Sequence, residues 1–365
     1  MRIAFILTYP IYHDSVPFKQ WLAQPCRERR LAGLFASCGH DVEFWGIGEE
    51  EFHRSYAECG SEFMLRIFRV ARKRSRSKRD VSDDLVDHAR TFNADLHVLK
   101  GVDGGAGTLL IKNYLKEKKR SLVFILGGGY QSRYHALAKI VFYESDEQKR
   151  RLMEPGWRVW QTPPAEEALI RLPKWVDAGF VPQTQAKEWD ILIIGRLIRK
   201  IKNFEPLGSL AGNFSVAVIG DGEDAQRLQA AFPKVHWLGF IPNRELPGYI
   251  NRARLLMHTG LREFYPRVVA EAMSCGVPCA AFSGLVGRDV IPAGCGLLMD
   301  RNNYITPLKK LIEEPERLYL MGKQATRHAH EHIGRDPCKK AIQQMFDRLA
   351  TAQRALEFND RTVDR

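Results

Sequence analysis

Short apolar segments that end in glycine or a polar residue recur along the second half of the chain. They cover residues 190–194, 216–219, 235–240 and 255–258. Gly195 and Gly220 follow the first two of these segments directly. Each segment has the length of a strand, and helical patterns separate them, which predicts consecutive βα units and a parallel sheet. Because the carboxyl ends of parallel strands meet at one edge, we expect a Rossmann-like domain with a ligand at that edge.

The first half of the chain opens with the same alternation. An apolar strand is predicted at residues 3–7, and a helical pattern follows that stops at Gly39. A second strand is predicted at residues 41–45, so the three elements form one right-handed βαβ unit. Further apolar strands at 95–99 and 122–126 extend this sheet. The pattern predicts an α/β fold with two Rossmann-like, doubly wound domains.

Prolines mark the boundary between the two halves. Pro163, Pro164, Pro173 and Pro182 lie in a stretch where the strand and helix pattern weakens. We therefore predict an N-terminal domain over residues 1–186 and a C-terminal domain over residues 187–335. Residues 336–365 read as a long closing helix, which we expect to return to the N-terminal domain.

Charge and cysteine content restrict the class of protein. The chain of 365 residues has a formal net charge of +12, which favours anionic partners such as nucleotide diphosphates, acidic lipid surfaces or nucleic acid. No apolar run reaches the roughly 18–20 residues that cross a bilayer. The seven cysteines are scattered and form no CxxC pair, which favours a reduced, cytoplasmic protein.

Residues 262–276 contain two carboxylates at a predicted helix start. Glu263 precedes Pro266, and Glu271 lies inside the helix that we expect to begin at this proline. Apolar residues at helical spacing predict that the helix packs on a sheet. The free backbone N–H groups and positive dipole end of its first turn form a site for an anion such as diphosphate. The residues at this turn are Tyr265, Pro266, Arg267 and Val268.

Residues that follow the strands of the first half are candidates for substrate contacts. His13 and Asp14 come after the first strand, where open α/β sheets place their ligands. Gly127, Gly128 and Gly129 end another buried strand and permit close backbone approach to a ligand. The same three glycines are equally consistent with a tight turn.

A run of basic residues from Arg66 to Arg79 has three interpretations. Apolar residues between positions 63 and 71 have helical spacing, and eight basic residues follow or alternate with them. A basic amphipathic helix lies on anionic membranes, and basic side chains also bind the phosphates of a nucleic acid. The third interpretation is an ordinary domain helix with a solvated basic end.

At this point the second half resembles the retaining family-4 (group 1) glycosyltransferases of the GT-B fold. The resemblance covers about residues 190–300 and rests on several short motifs in the family's order. These motifs are Ile194-Gly195-Arg196-Leu197, Ile219-Gly220-Asp221-Gly222, Leu238-Gly239-Phe240, the pair Glu263 and Glu271 with Glu-Ala-Met, Gly276-Val277-Pro278 and Gly296-Leu297-Leu298. The resemblance implies two Rossmann-like domains that face each other across a cleft.

The resemblance also implies a role for each candidate residue. Arg196 and Lys202 would neutralise the donor diphosphate as it leaves, Glu263 would contact the donor sugar, and Glu271 would bind the ribose. The backbone of residues 265–268 would hold the phosphates, with Gly195 and Gly220 beside the donor. The backbone near Phe240 and Ile241 would hold the base. The acceptor would lie near His13, Asp14, Gly127, Gly128 and Gly129.

Two departures from the family pattern change these expectations. The family usually has glycine directly after the first glutamate, whereas Phe264 stands here and predicts an altered choice of sugar. Lys202 lies one residue farther from Arg196 than usual, so Lys200 is a second candidate for the phosphate contact. Because the chain has no strict DxD motif, no paired histidine ligands and no clustered cysteines, we expect no metal and no cofactor.

The sequence thus predicts a retaining, metal-independent glycosyltransferase. Its expected donor is a nucleotide diphosphate sugar, with UDP as the first choice, and its expected acceptor is a lipid-linked or cell-envelope glycan. The basic segment favours a cytoplasmic enzyme that is peripheral on the inner face of a membrane. Two alternatives remain open, namely a transferase that acts on modified nucleic acid and a catalytically inactive scaffold subunit of the same fold.

Overall fold

The chain folds into two compact units. The computed structural model describes residues 1–13, 17–24, 26–129, 131–154, 163–261 and 263–363, with side chains up to residue 355. Unit 1 comprises Met1–Glu144, Gln148–Leu172 and Lys339–Arg365, and unit 2 comprises Ser145–Glu147 and Pro173–Cys338. Residues 173–186 group with unit 2, and not with the N-terminal domain as expected, because Phe180 lies in the unit 2 core. The backbone N–H of Gln183 also donates to Asn251 Oδ1 at 2.8 Å.

Unit 1 alternates strands and helices along most of its length. Its strands are β1 (Arg2–Leu7), β2 (Asp41–Gly48), β3 (Phe52–Glu58), β4 (Ser61–Arg69), β5 (Leu96–Lys100), β6 (Leu122–Ile125), β7 (Ile140–Tyr143) and β8 (Leu169–Arg171). Its first helices are α1 (Phe18–Ala23), α2 (Arg27–Ala36), α3 (Asp83–Phe92) and α4 (Gly105–Leu110), and α5 (Asp146–Met153) follows β7. A π-helical segment, Ile111–Leu115, continues α4.

The unit 1 sheet is doubly wound. Its strand order is β3-β4-β2-β1-β5-β6-β7-β8, and every neighbouring pair is parallel except β3 with β4. The βαβ unit predicted at the start of the chain is present, since β1 and β2 pair in parallel through residues 2–6 and 41–45. Because the chain passes from β1 outward to β2 and later to β5 on the other side, the switch point of this sheet lies between β1 and β5.

The prediction of an amphipathic helix in the basic segment is wrong. Ser61–Arg69 forms strand β4, and a loop with a short 3-10 helix, Ser77–Arg79, follows it. Phe63, Leu65 and Ile67 are buried at every second position, which is the period of a strand. The turn at Cys59 and Gly60, whose φ angles are 58° and 75°, closes a hairpin that pairs β4 with β3.

Unit 2 continues the alternation. Its strands are β9 (Trp189–Ile194), β10 (Val216–Ile219), β11 (His236–Gly239), β12 (Ala253–His258), β13 (Cys279–Phe282) and β14 (Gly296–Met299). Its helices are α6 (Leu207–Asn213), α7 (Ala225–Ala231), α8 (Leu246–Asn251), α9 (Arg267–Ser274), α10 (Ile305–Ile312) and α11 (Pro315–His332). The last helix, α12 (Arg335–Val363), leads back into unit 1 from Lys339 onward.

All six strands of the unit 2 sheet are parallel. Their order is β11-β10-β9-β12-β13-β14, so the sheet starts at its centre with β9, grows outward to β11 and then continues on the other side from β12. Apolar side chains cover both faces in two clusters. This is the dinucleotide-binding strand order, and it places the switch point between β9 and β12. The two Rossmann-like domains predicted from the sequence are confirmed.

No helix in the described ranges has the length and apolar character needed to cross a bilayer.

Candidate functional site

The candidate site of unit 2 lies at the carboxyl ends of β9 and β12. β9 ends at Ile194 and is followed by Gly195, and β12 ends at His258 and is followed by Thr259 and Gly260. These two strands are neighbours in the sheet, but the chain leaves them in opposite directions. A crevice therefore opens at this edge, which is where open α/β sheets bind their ligands.

Two loops join at this point through backbone contacts. The N–H of Asn203 donates to the carbonyl of Thr259 at 2.8 Å, and the N–H of Leu261 donates to the carbonyl of Ile201 at 3.0 Å. These bonds fix the loop after β9 against the loop after β12. As a result, Lys202 is buried with only 6% of its surface exposed, whereas Lys200 is exposed. The structure thus brings Lys202, and not Lys200, into contact with Glu263.

Lys202, Glu263 and His258 form a polar group at the switch point. Lys202 Nζ donates to Glu263 Oε2 at 2.6 Å, and His258 Nε2 lies 3.5 Å from the same oxygen. Burial, and after it the charge of Lys202, hold the pKa of His258 well below its ordinary value. The imidazole is therefore neutral beside an ion pair. The Glu263 side chain keeps 37% of its surface exposed, so one carboxylate is both anchored and accessible to a ligand.

Glycines at two positions leave room for this group, since a Cβ atom at either would come close to its side chains. A Cβ atom on Gly195 would lie 2.7 Å from Lys202 Cε. A Cβ atom on Gly260 would lie 2.3 Å from Glu263 Oε2 and 2.5 Å from His258 Nε2. Both glycines therefore allow these side chains to lie close to the backbone of their loops.

Helix α9 begins one residue later than predicted. Pro266 is the N-cap residue, with φ −65° and ψ 126°, and the helix runs from Arg267 to Ser274. The N–H groups of Arg267 and Val268 lie in the first turn, where no intrahelical acceptor exists, so they remain available to an anion. Gly276, with φ +70°, follows the helix end as the sequence predicted. Tyr265 is 7% exposed and packs in the core, whereas Phe264 is half-buried.

Glu271 lies inside α9 and is 3% exposed. Asn243 Nδ2 donates to its Oε1 at 3.0 Å, which leaves its second oxygen as an acceptor for a ligand. Burial raises the pKa of the Glu271 carboxyl, while the hydrogen bond from Asn243 and the charge of Arg267 act in the opposite direction. A buried carboxylate that holds one amide donor is suited to accept hydrogen bonds from a vicinal diol.

The remaining residues that the sequence predicts on the donor side occupy the same edge of the sheet. Arg196 follows Gly195 directly, is exposed and has no ionic partner among the described residues. Gly220 follows β10, and a Cβ atom there would lie 1.9 Å from the carbonyl oxygen of Gly195. Its N–H donates to the carbonyl of Gly239 at 2.8 Å. Phe240 is 74% exposed beyond β11, and Ile241 packs against the core of unit 2.

The first-half candidates lie at the carboxyl edge of the unit 1 sheet. His13 Nδ1 is 3.1 Å from Ser77 Oγ, so this side chain contacts the basic loop. The carbonyl of Gly127 accepts a hydrogen bond from Gln148 Nε2 at 2.7 Å, and Gly128 and Gly129 are exposed beyond β6. Asp14 lies outside the described residues.

The sequence reasoning assigned no role to His258, Asn243 or Gly260. His258 ended a predicted strand, and its polar side chain after an apolar run was the available signal. Asn243 is far from Glu271 in the sequence, so no spacing rule connects them. In the parts of the chain that the structure describes, no three histidine, cysteine, aspartate or glutamate side chains are grouped to hold a metal ion.

Solved structures define the class of fold. Sucrose-phosphate synthase from Thermosynechococcus elongatus matches 96% of this chain and 100% of its own, with a TM-score of 0.72 and 14% identity. HepE from Anabaena, solved in complex with UDP, has the same coverage with a TM-score of 0.66 and 14% identity. The chain has the GT-B glycosyltransferase fold, as the sequence predicted.

A family model matches most of the second unit. Residues 180–328, which are less than half of the chain, match the family model of glycosyl transferases group 1. This part of the chain is similar to a group 1 glycosyl transferase domain. It contains all of the donor-side residues described above, from Gly195 to Glu271.

Four curated relatives match in sequence, and two of them are described here. The GDP-mannose-dependent alpha-mannosyltransferase of Mycobacterium tuberculosis is 34% identical over 139 residues, which are 36% of this chain and 36% of the relative. The lipopolysaccharide 1,6-galactosyltransferase of Salmonella typhimurium is 30% identical over 127 residues, which are 31% of this chain and 35% of the relative. The chain thus matches less than half the length of either relative.

Proposed function

We propose that the protein is a retaining glycosyltransferase that uses a nucleotide diphosphate sugar. The observation that carries this proposal is the contact between Lys202 and Glu263 at the switch point of a group 1 glycosyl transferase domain. A cation and an accessible carboxylate meet there beside a helix N-terminus. A sugar diphosphate needs these three features, because it has hydroxyl groups to orient and negative charge to neutralise.

Lys202 would contact both the diphosphate of the donor and the carboxylate that binds its sugar. Its ammonium has three donors, so it can hold Glu263 and still donate to a phosphate oxygen. Glu263 would accept hydrogen bonds from the donor sugar, and Arg196 with the first-turn N–H groups of α9 would hold the diphosphate. These positive groups stabilise the charge that develops on the leaving diphosphate. This function requires no metal, and the acceptor attacks on the face that the diphosphate leaves, with a phosphate oxygen taking the acceptor proton.

Glu271 and Asn243 would bind the ribose, and the backbone near Phe240 and Ile241 would hold the base. UDP is our first choice of nucleotide, since UDP is bound in a structure of the same fold. GDP is the competing choice, since one relative is named for GDP-mannose. A cell-envelope glycan is the proposed acceptor class, which agrees with the lipopolysaccharide named for the other relative. We place the acceptor contacts in unit 1.

Thermal unfolding with UDP, GDP, ADP and their sugars tests this proposal. A ligand at ~100 times its Kd stabilises the native state by about 2.7 kcal/mol, so the true donor raises the unfolding temperature. Glu271→Ala should remove most of that shift. Glu316→Ala, an exposed glutamate on α11, is the matched control and should retain it. If no nucleotide shifts the wild-type protein, the scaffold alternative replaces the enzyme.

A further inference from the structure

The loop between β4 and α3 contains cations that the structure uses in two different ways. Arg72 binds Asp83 at 2.8 Å, Lys73 binds Glu49 at 2.8 Å, and Lys78 binds Asp103 at 2.7 Å. The remaining three cations of the loop are arginines, namely Arg74, Arg76 and Arg79. All three are exposed, and none of their guanidinium groups has an ionic partner in the described ranges.

This loop is fixed in place by a buried acid. Asp80 is 2% exposed and accepts from Tyr12 Oη at 2.6 Å and from the N–H of Arg74 at 2.6 Å. Arg72 and Val81 form an antiparallel bridge that closes the base of the loop. Asp80 is therefore bonded to Tyr12 and to the loop backbone, and it forms no ion pair with the guanidinium groups of Arg74, Arg76 or Arg79 in the described residues. The three guanidinium groups project from an anchored segment.

The backbone of the loop also packs tightly on its neighbour. A Cβ atom on Gly105 would lie 2.4 Å from the carbonyl oxygens of Arg79 and Asp80. Only glycine allows this approach, so the start of α4 and the loop are in direct contact. The position of the loop is thus determined by the fold of unit 1.

The anchored loop lies at the ligand-binding edge of the unit 1 sheet. It leaves the carboxyl end of β4, and its contacts are with residues that follow the carboxyl ends of β1 and β5. Ser77 contacts His13 after β1, and Lys78 contacts Asp103 after β5. The switch point of this sheet lies between β1 and β5, where a second ligand would bind.

Exposed arginines that are close together in sequence and have no ionic partner are suited to bind one anion together. Three of them lie within six consecutive residues, and the nearby acids Glu49, Asp83 and Asp103 are each bound to another cation. Guanidinium groups bind phosphate with paired N–H donors, and such charge-assisted bonds are stronger than neutral ones.

We infer that Arg74, Arg76 and Arg79 bind a phosphate group of the acceptor at the carboxyl edge of unit 1. The acceptor is therefore a phosphorylated or diphosphate-linked molecule. This inference rests on the proposed function, because it assigns the acceptor of that transferase. His13 stands beside the phosphate through its contact with Ser77.

The test is a titration with inorganic pyrophosphate, followed by phosphorus NMR. The triple variant Arg74→Gln, Arg76→Gln, Arg79→Gln should bind pyrophosphate at unit 1 about 10-fold more weakly or worse, since it loses three exposed charge contacts. Because pyrophosphate also resembles the donor diphosphate, the titration is run in the Lys202→Ala background, which weakens the donor site. The triple variant Lys112→Gln, Lys116→Gln, Lys119→Gln has the same charge change on exposed residues of unit 1 and should bind like the parent.

Equal pyrophosphate affinities of the triple arginine variant and the triple lysine variant would overturn the inference. The single variant Arg76→Gln breaks no side-chain contact among the described residues. It should show a smaller loss of pyrophosphate affinity, and it keeps the test valid if the triple variant misfolds. The nucleotide shift described above reports on unit 2 separately. A protein that binds nucleotide but shows no arginine-dependent pyrophosphate site disproves this inference and keeps the proposed function.

Two further arms identify the source of the phosphate. Sedimentation is measured with phosphatidylglycerol-containing vesicles and with pure phosphatidylcholine vesicles, and a polynucleotide is tested in parallel. Loss of pyrophosphate binding, with or without loss of vesicle binding, supports the site, and accompanying vesicle loss shows that a lipid headgroup reaches it. Loss confined to vesicles or to the polynucleotide, with pyrophosphate binding unchanged, overturns a discrete phosphate site.

Discussion

At the scale of single residues, buried imidazoles link the stability of this protein to pH. His97 lies in β5 with 0% of its surface exposed, and His258 ends β12 with 2% exposed. Burial lowers the pKa of His97 to about 4. The unfolded chain binds a proton near pH ~6.5, so it holds more protons than the native state between these values. The contribution of neutral His97 to the free energy of unfolding is complete above about pH 6.5 and is lost as the pH falls toward 4.

His97→Leu should make unit 1 less sensitive to acid. Leucine fills a similar volume and never takes up a proton, so the loss of roughly 3 kcal/mol expected near pH 4 from this one group disappears. The measurement is the free energy of urea unfolding at a series of pH values. His236→Leu, at an exposed position of β11, is the control and should leave the slope unchanged. If the free energy of unfolding depends on pH equally in the wild-type and His97→Leu proteins, the prediction is wrong.

The sequence singled out both carboxylates of the candidate site but did not choose between the two lysines, Lys200 and Lys202. Glu263 and Glu271 have a recognisable spacing, and a helix pattern places Glu271 correctly inside α9. Lys200 and Lys202 lie in an irregular loop, where no period tells which side chain points inward. The choice depends on bonds of Asn203 to Thr259 and of Leu261 to Ile201, which are contacts between distant parts of the chain.

At the scale of elements, the loop after β12 positions the carboxylate of Glu263. Gly260→Ala should displace Glu263, because the new Cβ atom would lie 2.3 Å from Oε2. Because this change removes one charge-assisted hydrogen bond, we expect the affinity for the nucleotide sugar to fall about 10-fold or more. The affinity for the nucleotide alone should change little, since Glu263 is proposed to contact the sugar. Calorimetric titration with both ligands measures the difference.

Gly248→Ala is the matched control for this loop. Gly248 lies in α8, and a Cβ atom there has no neighbour within 4 Å. The Gly248→Ala protein should bind the nucleotide and the nucleotide sugar with wild-type affinity. If Gly260→Ala weakens nucleotide and nucleotide sugar equally, Glu263 does not contact the sugar.

The elements themselves were predicted well where the pattern was strong. Buried parallel strands read as continuous apolar runs, and the order of unit 2 follows from repeated βα units. The error at Ser61–Arg69 arose because the apolar residues of β4 also fit a helical period. The hairpin partner β3 is largely exposed and has few apolar residues, so it gave no signal that β4 was a strand. Long-range pairing decided between two patterns that were locally equivalent.

At the scale of the whole molecule, the last helix completes the core of the first unit. Phe346 on α12 is 8% exposed and contacts Phe35 edge to face, with ring centroids 5.9 Å apart. The ring of His40 lies 4.2 Å from it. Arg348 donates to the carbonyl oxygens of Glu167 and Leu169 at 2.6 and 3.0 Å. The two ends of the sequence therefore depend on each other for one core.

Phe346→Ala should destabilise unit 1 by about 3 kcal/mol, because it removes a buried aromatic ring and leaves a cavity against Phe35. The urea midpoint of the unit 1 transition measures this change. Phe240→Ala removes the same ring from a position that is 74% exposed and should leave the midpoint unchanged. Nucleotide binding by Phe346→Ala should persist under conditions where unit 1 stays folded, since all residues of the proposed donor site belong to unit 2. A wild-type midpoint for Phe346→Ala would mean that α12 is dispensable for the core of unit 1, and that this unit folds from its N-terminal segments alone.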